Sequence, residues 1–349
     1  MGFLYKQAIR VCRRARRGLL ACGLLRVPKD VNHLKWGIVG TGYMASVWAD
    51  TLLNSRIGIL ESVCSRDINR AKVFSRRWVS NNYYSDLDKM LSEKSGEMDC
   101  IYIATPLNDH FMTIKKCICA GFNVLTEKPA TESPDEWAQL ISMSQRHGVF
   151  LAEGMWMRCL PTFSQAEEWV AQGEIGSIRS IKANLQKFSP RQGDLAAPGV
   201  LMDYGVYALH MACFFLGGQP QSVTSRARRD QAGRDVDWAI VAERDGVTAL
   251  INISSDHAGR NDAAVIGDKG VIAWGSPFNR TNRISLRNLH DSIVSERFFD
   301  YRSEGFEHQL LEVSRCIRCN LIESPLLSQE MTMHTLHLAQ ILQANAEQA

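Results

Sequence analysis

The sequence lacks long apolar runs and a strong charge of either sign. None of its apolar stretches approaches the roughly 20 residues of a membrane-spanning helix. The formal net charge is only +3, and the first 30 residues account for much of it. The remaining chain is close to neutral, which argues against a nucleic acid as its partner. Charged residues form 22% and hydrophobic residues 45% of the chain, as in an ordinary soluble globular protein.

Paired cysteine motifs of the kind that bind zinc are also missing. The ten cysteines are scattered and lie mostly in apolar runs, such as those around Cys64, Cys100 and Cys213. Cys316 and Cys319 form one C-x-x-C, with neither a second such pair nor a histidine cluster nearby. We therefore expect no metal site. Buried thiols suit a reducing compartment better than a disulfide framework does, which favours a cytoplasmic location.

The length of 349 residues predicts two domains, and residues 1–34 stand apart from both as a basic extension. Basic and apolar residues alternate there, as in an amphipathic helix that makes peripheral contact with an anionic membrane surface. An export signal is an alternative, because an arginine pair precedes the apolar run Gly18–Leu25. An extension that packs on a neighbouring subunit, or is frayed, is the third. The basic residues are Lys6, Arg10, Arg13, Arg14, Arg16, Arg17 and Arg26.

Residues 35–155 alternate short apolar stretches with helical ones, on the period of parallel β-α-β units. Such units have right-handed crossovers and build an α/β domain around a doubly wound parallel sheet, the Rossmann fold. The predicted strands are residues 36–39, 59–64, 99–104, 123–125 and 149–152, and the predicted helices are 45–54, 69–78, 87–92, 111–120 and 134–147.

A glycine-rich turn of the form G-x-G-x-x-G/A joins the first strand to the first helix. Gly40 permits the tight turn, Gly42 lets a pyrophosphate approach the backbone, and Ala45 allows the helix to pack closely. The helix N-terminus supplies amide groups to the anion. Because a strand and a helix flank the motif, it predicts a dinucleotide site made by Gly40, Thr41, Gly42, Tyr43, Met44 and Ala45.

The end of the second strand favours NADP(H) over NAD(H). Ser65 and Arg66 stand where an NAD site usually places a carboxylate, and a hydroxyl with a guanidinium suits a 2′-phosphate. Asp67 is an alternative ribose ligand, but its position just before a helix indicates an N-cap.

Further cofactor contacts are predicted at the end of the third major strand. These residues are Thr105, Pro106 and His110. For His110 there is an equal alternative to lining the site, which is that it caps the next helix or faces solvent.

The stretch Asn123–Pro129 carries the candidate catalytic lysine. Pro129 biases Lys128 toward an extended backbone and stops the preceding strand. Ligands bind at the carboxyl ends of strands in open α/β sheets. Lys128 and Glu127 are therefore predicted to contact the cofactor, and Lys128 to act in catalysis. The alternative is a surface salt bridge between Glu127 and a neighbour.

Residues 156–349 predict a second domain of the α+β class. Trp156 and Arg158 lie where the chain crosses into it. Strands follow one another with little helix between them, which predicts an open, mainly antiparallel sheet. Asp203 and Tyr207 lie four residues apart, on one face of a predicted helix, 203–216. They are either an acid/base pair, or Asp203 is a helix cap and Tyr207 a half-buried core residue. The predicted strands are 178–185, 222–226, 239–243, 248–254, 263–267, 270–274 and 284–286, and the other helices are 162–172, 304–319 and 330–344.

In their order and spacing, four motifs resemble those of the Gfo/Idh/MocA oxidoreductases, and the likeness covers residues 35–345. The tyrosine at 207 is typical of the branch of glucose–fructose oxidoreductase and dimeric dihydrodiol dehydrogenase. The resemblance implies that Tyr207 is presented to the nicotinamide and that homo-oligomers form through the open sheet. Export of glucose–fructose oxidoreductase by a twin-arginine signal keeps a periplasmic location as an alternative. The motifs are Gly40–Ala45, Glu127–Pro129, Glu153–Pro161 and Asp203–Tyr207.

These residues together predict an NAD(P)-dependent oxidoreductase that acts on a sugar or diol. Hydride transfer must be accompanied by proton transfer, and the pKa of free tyrosine, about 10, is too high for that near neutrality. An ammonium within about 4–6 Å favours the phenolate, so Lys128 would tune Tyr207 and stabilise an alkoxide. Asp203 would orient Tyr207 or the substrate, while Trp156 and Arg158 would shape the nicotinamide side of the pocket.

Two alternatives remain open. Lys128 could carry the proton while Tyr207 binds the substrate. The chain could also be a catalytically silent NAD(P)-binding sensor or scaffold, although retention of both Lys128 and Tyr207 weighs against that role.

Overall fold

A computed structural model describes residues 33–80, 82–189 and 199–347. The chain packs as two compact units. The first comprises the described residues up to Glu127 together with Gln139–Gly154 and Arg302–Ser324. The second comprises Lys128–Ala138, Met155–Tyr301 and the chain from Pro325 onward. The membrane and export predictions concern residues 1–30, which lie outside the described residues, and they stay predictions.

The first unit contains a six-stranded parallel sheet in the order β3-β2-β1-β4-β5-β6. This order confirms the predicted doubly wound Rossmann sheet. The prediction omitted β3, which has only three residues at the sheet edge. The strands are β1 (Leu34–Val39), β2 (Gly58–Cys64), β3 (Asn82–Tyr84), β4 (Cys100–Ile103), β5 (Asn123–Thr126) and β6 (Leu151–Glu153).

The second unit contains an eight-stranded sheet in the order β14-β13-β12-β11-β7-β10-β9-β8. All neighbours are antiparallel except β7 and β10, which are parallel. The predicted open, mainly antiparallel sheet is thus confirmed. The strands are β7 (Ile178–Gln186), β8 (Ser222–Arg229), β9 (Asp235–Arg244), β10 (Val247–Ser254), β11 (Ala263–Gly267), β12 (Gly270–Trp274), β13 (Arg283–Asn288) and β14 (Ile293–Phe298).

The helices agree in place with those predicted, with small shifts at their ends. None of the described helices is both long and apolar enough to cross a membrane. They are α1 (Tyr43–Ser55), α2 (Ile68–Trp78), α3 (Leu87–Glu93), α4 (His110–Cys119), α5 (Pro134–His147), α6 (Pro161–Ala171), α7 (Val206–Leu216), α8 (Phe306–Arg318) and α9 (Gln329–Glu347). Short 3₁₀ turns lie at Leu107–Asp109, Trp156–Cys159 and Phe278–Arg280.

Helix α7 is the central helix of the second unit. Ten of its eleven residues are buried, because one side packs on the inner faces of β7 and β10 and another on α9. A helix that is apolar around its whole circumference is buried in this way. The predicted helix from Asp203 begins instead with a π-turn, Leu201–Gly205, and α7 starts at Val206.

Candidate active site

The glycine-rich turn of the first unit has the geometry that a dinucleotide site needs. Gly40 has a φ of 104°, and a Cβ atom there would lie 2.3 Å from the Ala104 carbonyl oxygen, so only glycine fits. At Gly42 a Cβ atom would meet nothing within 4 Å, which leaves the backbone open to an approaching group. Ala45 is fully buried where α1 packs.

The N-terminus of α1 suits an anion. Helix α1 begins at Tyr43, which is exposed, and has no acidic residue in its first turn. Its first amide groups therefore present a positive end that no side chain of that turn neutralises. The hydroxyls of Thr41 and Ser65, 3.4 Å apart, join the turn to the end of β2. The residues present thus fit the pyrophosphate of a dinucleotide, with Met44 at the second helical position.

At the end of β2, the carboxylate of Asp67 is used as a helix cap. Its Oδ1 accepts hydrogen bonds from the amides of Asn69 (2.8 Å) and Arg70 (3.4 Å), so the predicted N-cap is confirmed. Arg66 is largely exposed, and its Nη1 lies 3.5 Å from Asp109 Oδ2. A hydroxyl and a guanidinium therefore stand at this strand end, while the carboxylate is engaged with backbone amides.

Thr105, Pro106 and His110 follow β4 in the first unit. His110 is buried, with its Nε2 3.0 Å from the Thr105 carbonyl oxygen, so it does not face solvent. The Thr105 hydroxyl is buried and has no hydrogen-bond partner among the described residues. An unsatisfied buried hydroxyl is costly, and a bound cofactor at this strand end would satisfy it. Contacts of these residues with the cofactor stay predictions.

Glu127 is the last residue of the first segment of that unit. Its side chain is 8% exposed and accepts a hydrogen bond from the Tyr102 hydroxyl. Tyr102 stacks on Trp48, with ring centroids 4.6 Å apart. Glu127 is thus buried and held by a buried tyrosine, and it does not lie at the surface as in the alternative interpretation.

In the second unit, Lys128 meets both of its predicted catalytic partners. Its Nζ donates to the main-chain oxygen of Asp203 and lies 3.5 Å from Asp203 Oδ1. The same ammonium lies 5.6 Å from the centre of the Tyr207 ring. Lys128 is 14% and Asp203 25% exposed in their side chains, and Tyr207 is buried. The structure therefore brings together the three residues that the sequence selected.

Trp156 makes a contact with Tyr207 that sequence reasoning missed. Its Nε1 donates to the Tyr207 hydroxyl over 3.0 Å, and both side chains are buried. The sequence predicted Trp156 only as a cofactor contact, which stays a prediction. No spacing rule links residues 51 positions apart, so the only signal was the proximity of Trp156 to the domain crossing.

Arg158 lies in the apolar interior of the second unit. It is 2% exposed, its Nη2 is 2.6 Å from Glu167 Oε1, and its guanidinium lies 3.7 Å from the centre of the Phe214 ring. Burial, and secondarily the charge of Arg158, hold the pKa of His210 on α7 well below its usual value. These contacts give Arg158 a packing and electrostatic role, and its predicted cofactor contact is untested.

Among the residues that the structure describes, no group of three or more His, Cys, Asp or Glu side chains could hold a metal ion. The polar groups that meet at the candidate site of the second unit are an ammonium, a carboxylate and a phenol.

Two family models match the chain. The model described as an oxidoreductase family with an NAD-binding Rossmann fold matches residues 34–155, and that of the GFO/IDH/MocA C-terminal domain matches residues 163–273. The chain belongs to the Gfo/Idh/MocA family. This member is therefore an oxidoreductase that binds a nicotinamide dinucleotide.

One relative of this family member is the trans-1,2-dihydrobenzene-1,2-diol dehydrogenase of Sus scrofa. The two sequences are 28% identical over 308 residues, which cover 84% of this chain and 91% of the pig protein.

Two solved structures are similar in fold. One is an aldose-aldose oxidoreductase from Caulobacter crescentus complexed with glycerol, with a TM-score of 0.80 and 20% identity. The other is KijD10, a 3-ketoreductase from Actinomadura kijaniata in complex with NADP and TDP-benzene, with a TM-score of 0.77 and 21% identity. Each comparison covers 90% of this chain and 98% of the other chain.

Proposed function

We propose that this protein is an NADP(H)-dependent oxidoreductase that interconverts a hydroxyl and a carbonyl group on a sugar or diol. The relatives support this substrate class, since the pig enzyme is named for a diol and the Caulobacter enzyme for aldoses. The observation that carries the proposal is the placement of the Lys128 ammonium 5.6 Å from the ring of Tyr207. A site that had lost its catalytic function would need neither residue in this arrangement.

Tyr207 is the proposed proton carrier. When bound, the nicotinamide accepts or supplies the hydride. In the oxidative direction the Tyr207 phenolate takes the proton of the substrate hydroxyl, and in the reductive direction the phenol returns it. The nearby Lys128 ammonium favours the phenolate, and so does the hydrogen bond that Trp156 donates to the phenolic oxygen. Lys128 also stabilises negative charge on the substrate oxygen, and Asp203 holds its ammonium in place.

Removal of either central group tests this mechanism. We expect Lys128→Met and Tyr207→Phe each to lower kcat by about 10²–10⁴-fold, the usual contribution of a positioned acid or base. Cofactor affinity, measured by fluorescence titration, should be unchanged. Matched controls are Lys269→Met at an exposed site between β11 and β12, and Tyr301→Phe, whose hydroxyl bonds to the Thr281 carbonyl.

Full activity of either central variant on the true substrate would refute the assignment. If the wild-type protein binds the cofactor but turns over no member of a panel of aldoses and diols, the silent sensor or scaffold is favoured instead.

The preference for NADP(H) is supported by the end of β2. Ser65 and Arg66 stand there, while Asp67 caps α2. We expect Arg66→Ala to lower kcat/KM for NADPH about tenfold or more, the scale of a lost hydrogen bond to a charged group, and to leave the value for NADH unchanged. Arg70→Ala, an exposed arginine on α2, is the control. Equal losses with both cofactors would contradict the preference.

We also infer that the protein forms homo-oligomers through the outer face of the second sheet. The supporting observation is the exposed pair Val241 and Leu250, which lie opposite each other on β9 and β10.

A further inference from the structure

The π-turn Leu201–Gly205 immediately precedes α7 and holds the Lys128 ammonium. In a regular α-helix each main-chain carbonyl is engaged by the amide four residues on. A π-turn interrupts that ladder, and such turns are frequent at functional sites. Here Lys128 Nζ donates to the main-chain oxygen of Asp203, which lies in the middle of the turn. The position of the ammonium thus depends on the backbone of the turn as well as on the Asp203 carboxylate.

Asp235, the first residue of β9, fixes the start of the turn. Its Oδ2 accepts hydrogen bonds from the Leu201 amide and from Trp238 Nε1, both 2.8 Å long. A Cβ atom on Gly199 would lie 1.6 Å from Asp235 Oδ1, so the carboxylate occupies the space that a side chain there would need. The turn is therefore tied to β9 by a carboxylate that no motif in the sequence marked.

Tyr204 fixes the middle of the turn. Its hydroxyl donates to the carbonyl of Ser254, at the end of β10, and lies 3.3 Å from the carbonyl of Lys187, just after β7. The next residue, Gly205, packs so closely on β10 that a Cβ atom would lie 2.9 Å from Ile253 Cδ1. The carboxyl ends of the two parallel strands thus form the support for the turn.

We propose that Tyr204 and Asp235 are positioning residues for Lys128. They fix the π-turn, the turn fixes the Asp203 main-chain oxygen, and that oxygen holds the ammonium beside Tyr207. This inference rests on the proposed role of Lys128 in catalysis, and it adds two residues that act on the reaction only through it.

Tyr204→Phe tests the inference because it removes one hydroxyl and retains the ring. We expect kcat to fall on the order of tenfold to a hundredfold, the scale of a small misplacement of a catalytic group, with little change in KM or cofactor affinity. A purely structural role would lower the melting temperature and leave kcat of the folded protein unchanged, which would overturn the inference. Tyr301→Phe is the matched control, since it also removes a hydroxyl bonded to a carbonyl.

A double-mutant cycle decides whether Tyr204 acts through Lys128. In a Lys128→Met background, the added Tyr204→Phe change should cause no further loss of kcat, because the group that it positions is absent. Multiplicative losses would overturn the inference. If Lys128→Met alone keeps full activity, the proposed function fails. If Lys128→Met is inactive while Tyr204→Phe is fully active, only the present inference fails.

Asp235 gives an independent test through a conservative replacement. Asp235→Asn retains an oxygen that can accept from the Leu201 amide, whereas Asp235→Ala retains none. We expect Asn to restore most of the kcat that Ala loses, with KM similar in both. Wild-type kcat in both variants would exclude Asp235 as a positioning residue. If Asp235→Ala fails to fold, the other two variants decide. The inference is supported if Asp235→Asn has near wild-type kcat while Tyr204→Phe is slow. It is overturned if Tyr204→Phe is fully active.

Discussion

In the proposed mechanism, two polar groups near Tyr207 act in the same direction. The Lys128 ammonium and the indole N–H of Trp156 both favour the phenolate, one through its charge and the other through a hydrogen bond. Asp203 carries the opposite charge, but it is directed at Lys128, to which it contributes two oxygen atoms. In the proposed mechanism, Asp203 therefore positions the ammonium that acts on the phenol.

The sequence selected Lys128 and Tyr207, which the structure brings close together, but it did not select the residues that contact them. Lys128 precedes a proline at a strand end, and Tyr207 lies one helical turn after Asp203, so local patterns select both. Trp156 and Asp235 contact the site through bonds between residues far apart in the chain. Such contacts depend on how the chain folds back on itself, which no local pattern encodes.

We expect the buried His210 to contribute to the pH dependence of the stability of the second unit. Burial first, and the Arg158 charge second, lower the pKa of His210 far below that of an unfolded histidine, about 6.5. Below that pH the unfolded chain binds a proton that the folded protein excludes. The free energy of unfolding should therefore not depend on His210 above about pH 6.5. Below that pH, this residue should lower the free energy of unfolding by about 1.4 kcal/mol per pH unit.

Urea unfolding at a series of pH values between about 6.5 and 5 measures this slope, since carboxyl groups titrate mostly lower, near pH 4. We expect His210→Asn to reduce the slope by about 1.4 kcal/mol per pH unit, which corresponds to one proton. His290→Asn, at an exposed position, is the matched control. Equal slopes for wild type and His210→Asn would contradict the prediction.

Among the elements, those with strong periodicity were predicted correctly, and those set by tertiary contacts were not. The buried strands β1 and β4 and the helix α7 are evident from apolar runs. β14 was missed because most of its residues are exposed, so it lacks the alternation that marks a half-buried strand. The π-turn was missed because Asp203 continues the helical pattern of α7, while the contacts of the turn with Asp235 and Ser254 involve residues distant in sequence.

For the whole molecule, sequence order conceals which segments pack together. Helix α8 follows the second sheet in the chain, yet it belongs to the first unit together with Gln139–Gly154. In that unit the amide of Leu151, on β6, donates to the carbonyl of Ile322 over 3.0 Å. The last strand of the Rossmann sheet thus forms a hydrogen bond with a residue about 170 positions later. Composition and periodicity do not reveal that the chain comes back to this sheet.

One face of the second sheet carries the exposed pair Val241 and Leu250, and this face determines the expected assembly. In register across the sheet, Leu250 on β10 lies between Val241 and Lys182, and the row continues through small residues on the next strands. Lys182 is the charged member of this row. The continuation is Ala264, Ala273 and Ser285. Apolar and small side chains in such a row suit burial against the same row of a second copy.

We expect the purified protein to be an oligomer by size-exclusion chromatography with light scattering, and Leu250→Glu to shift it toward monomer. A carboxylate placed in that interface would lose its solvation without a partner, which costs several kcal/mol and weakens association by more than about a hundredfold. Leu289→Glu, an exposed leucine between β13 and β14, adds the same charge elsewhere and is the control. A monomeric wild type, or an oligomer that withstands Leu250→Glu, would show that this face is not the interface.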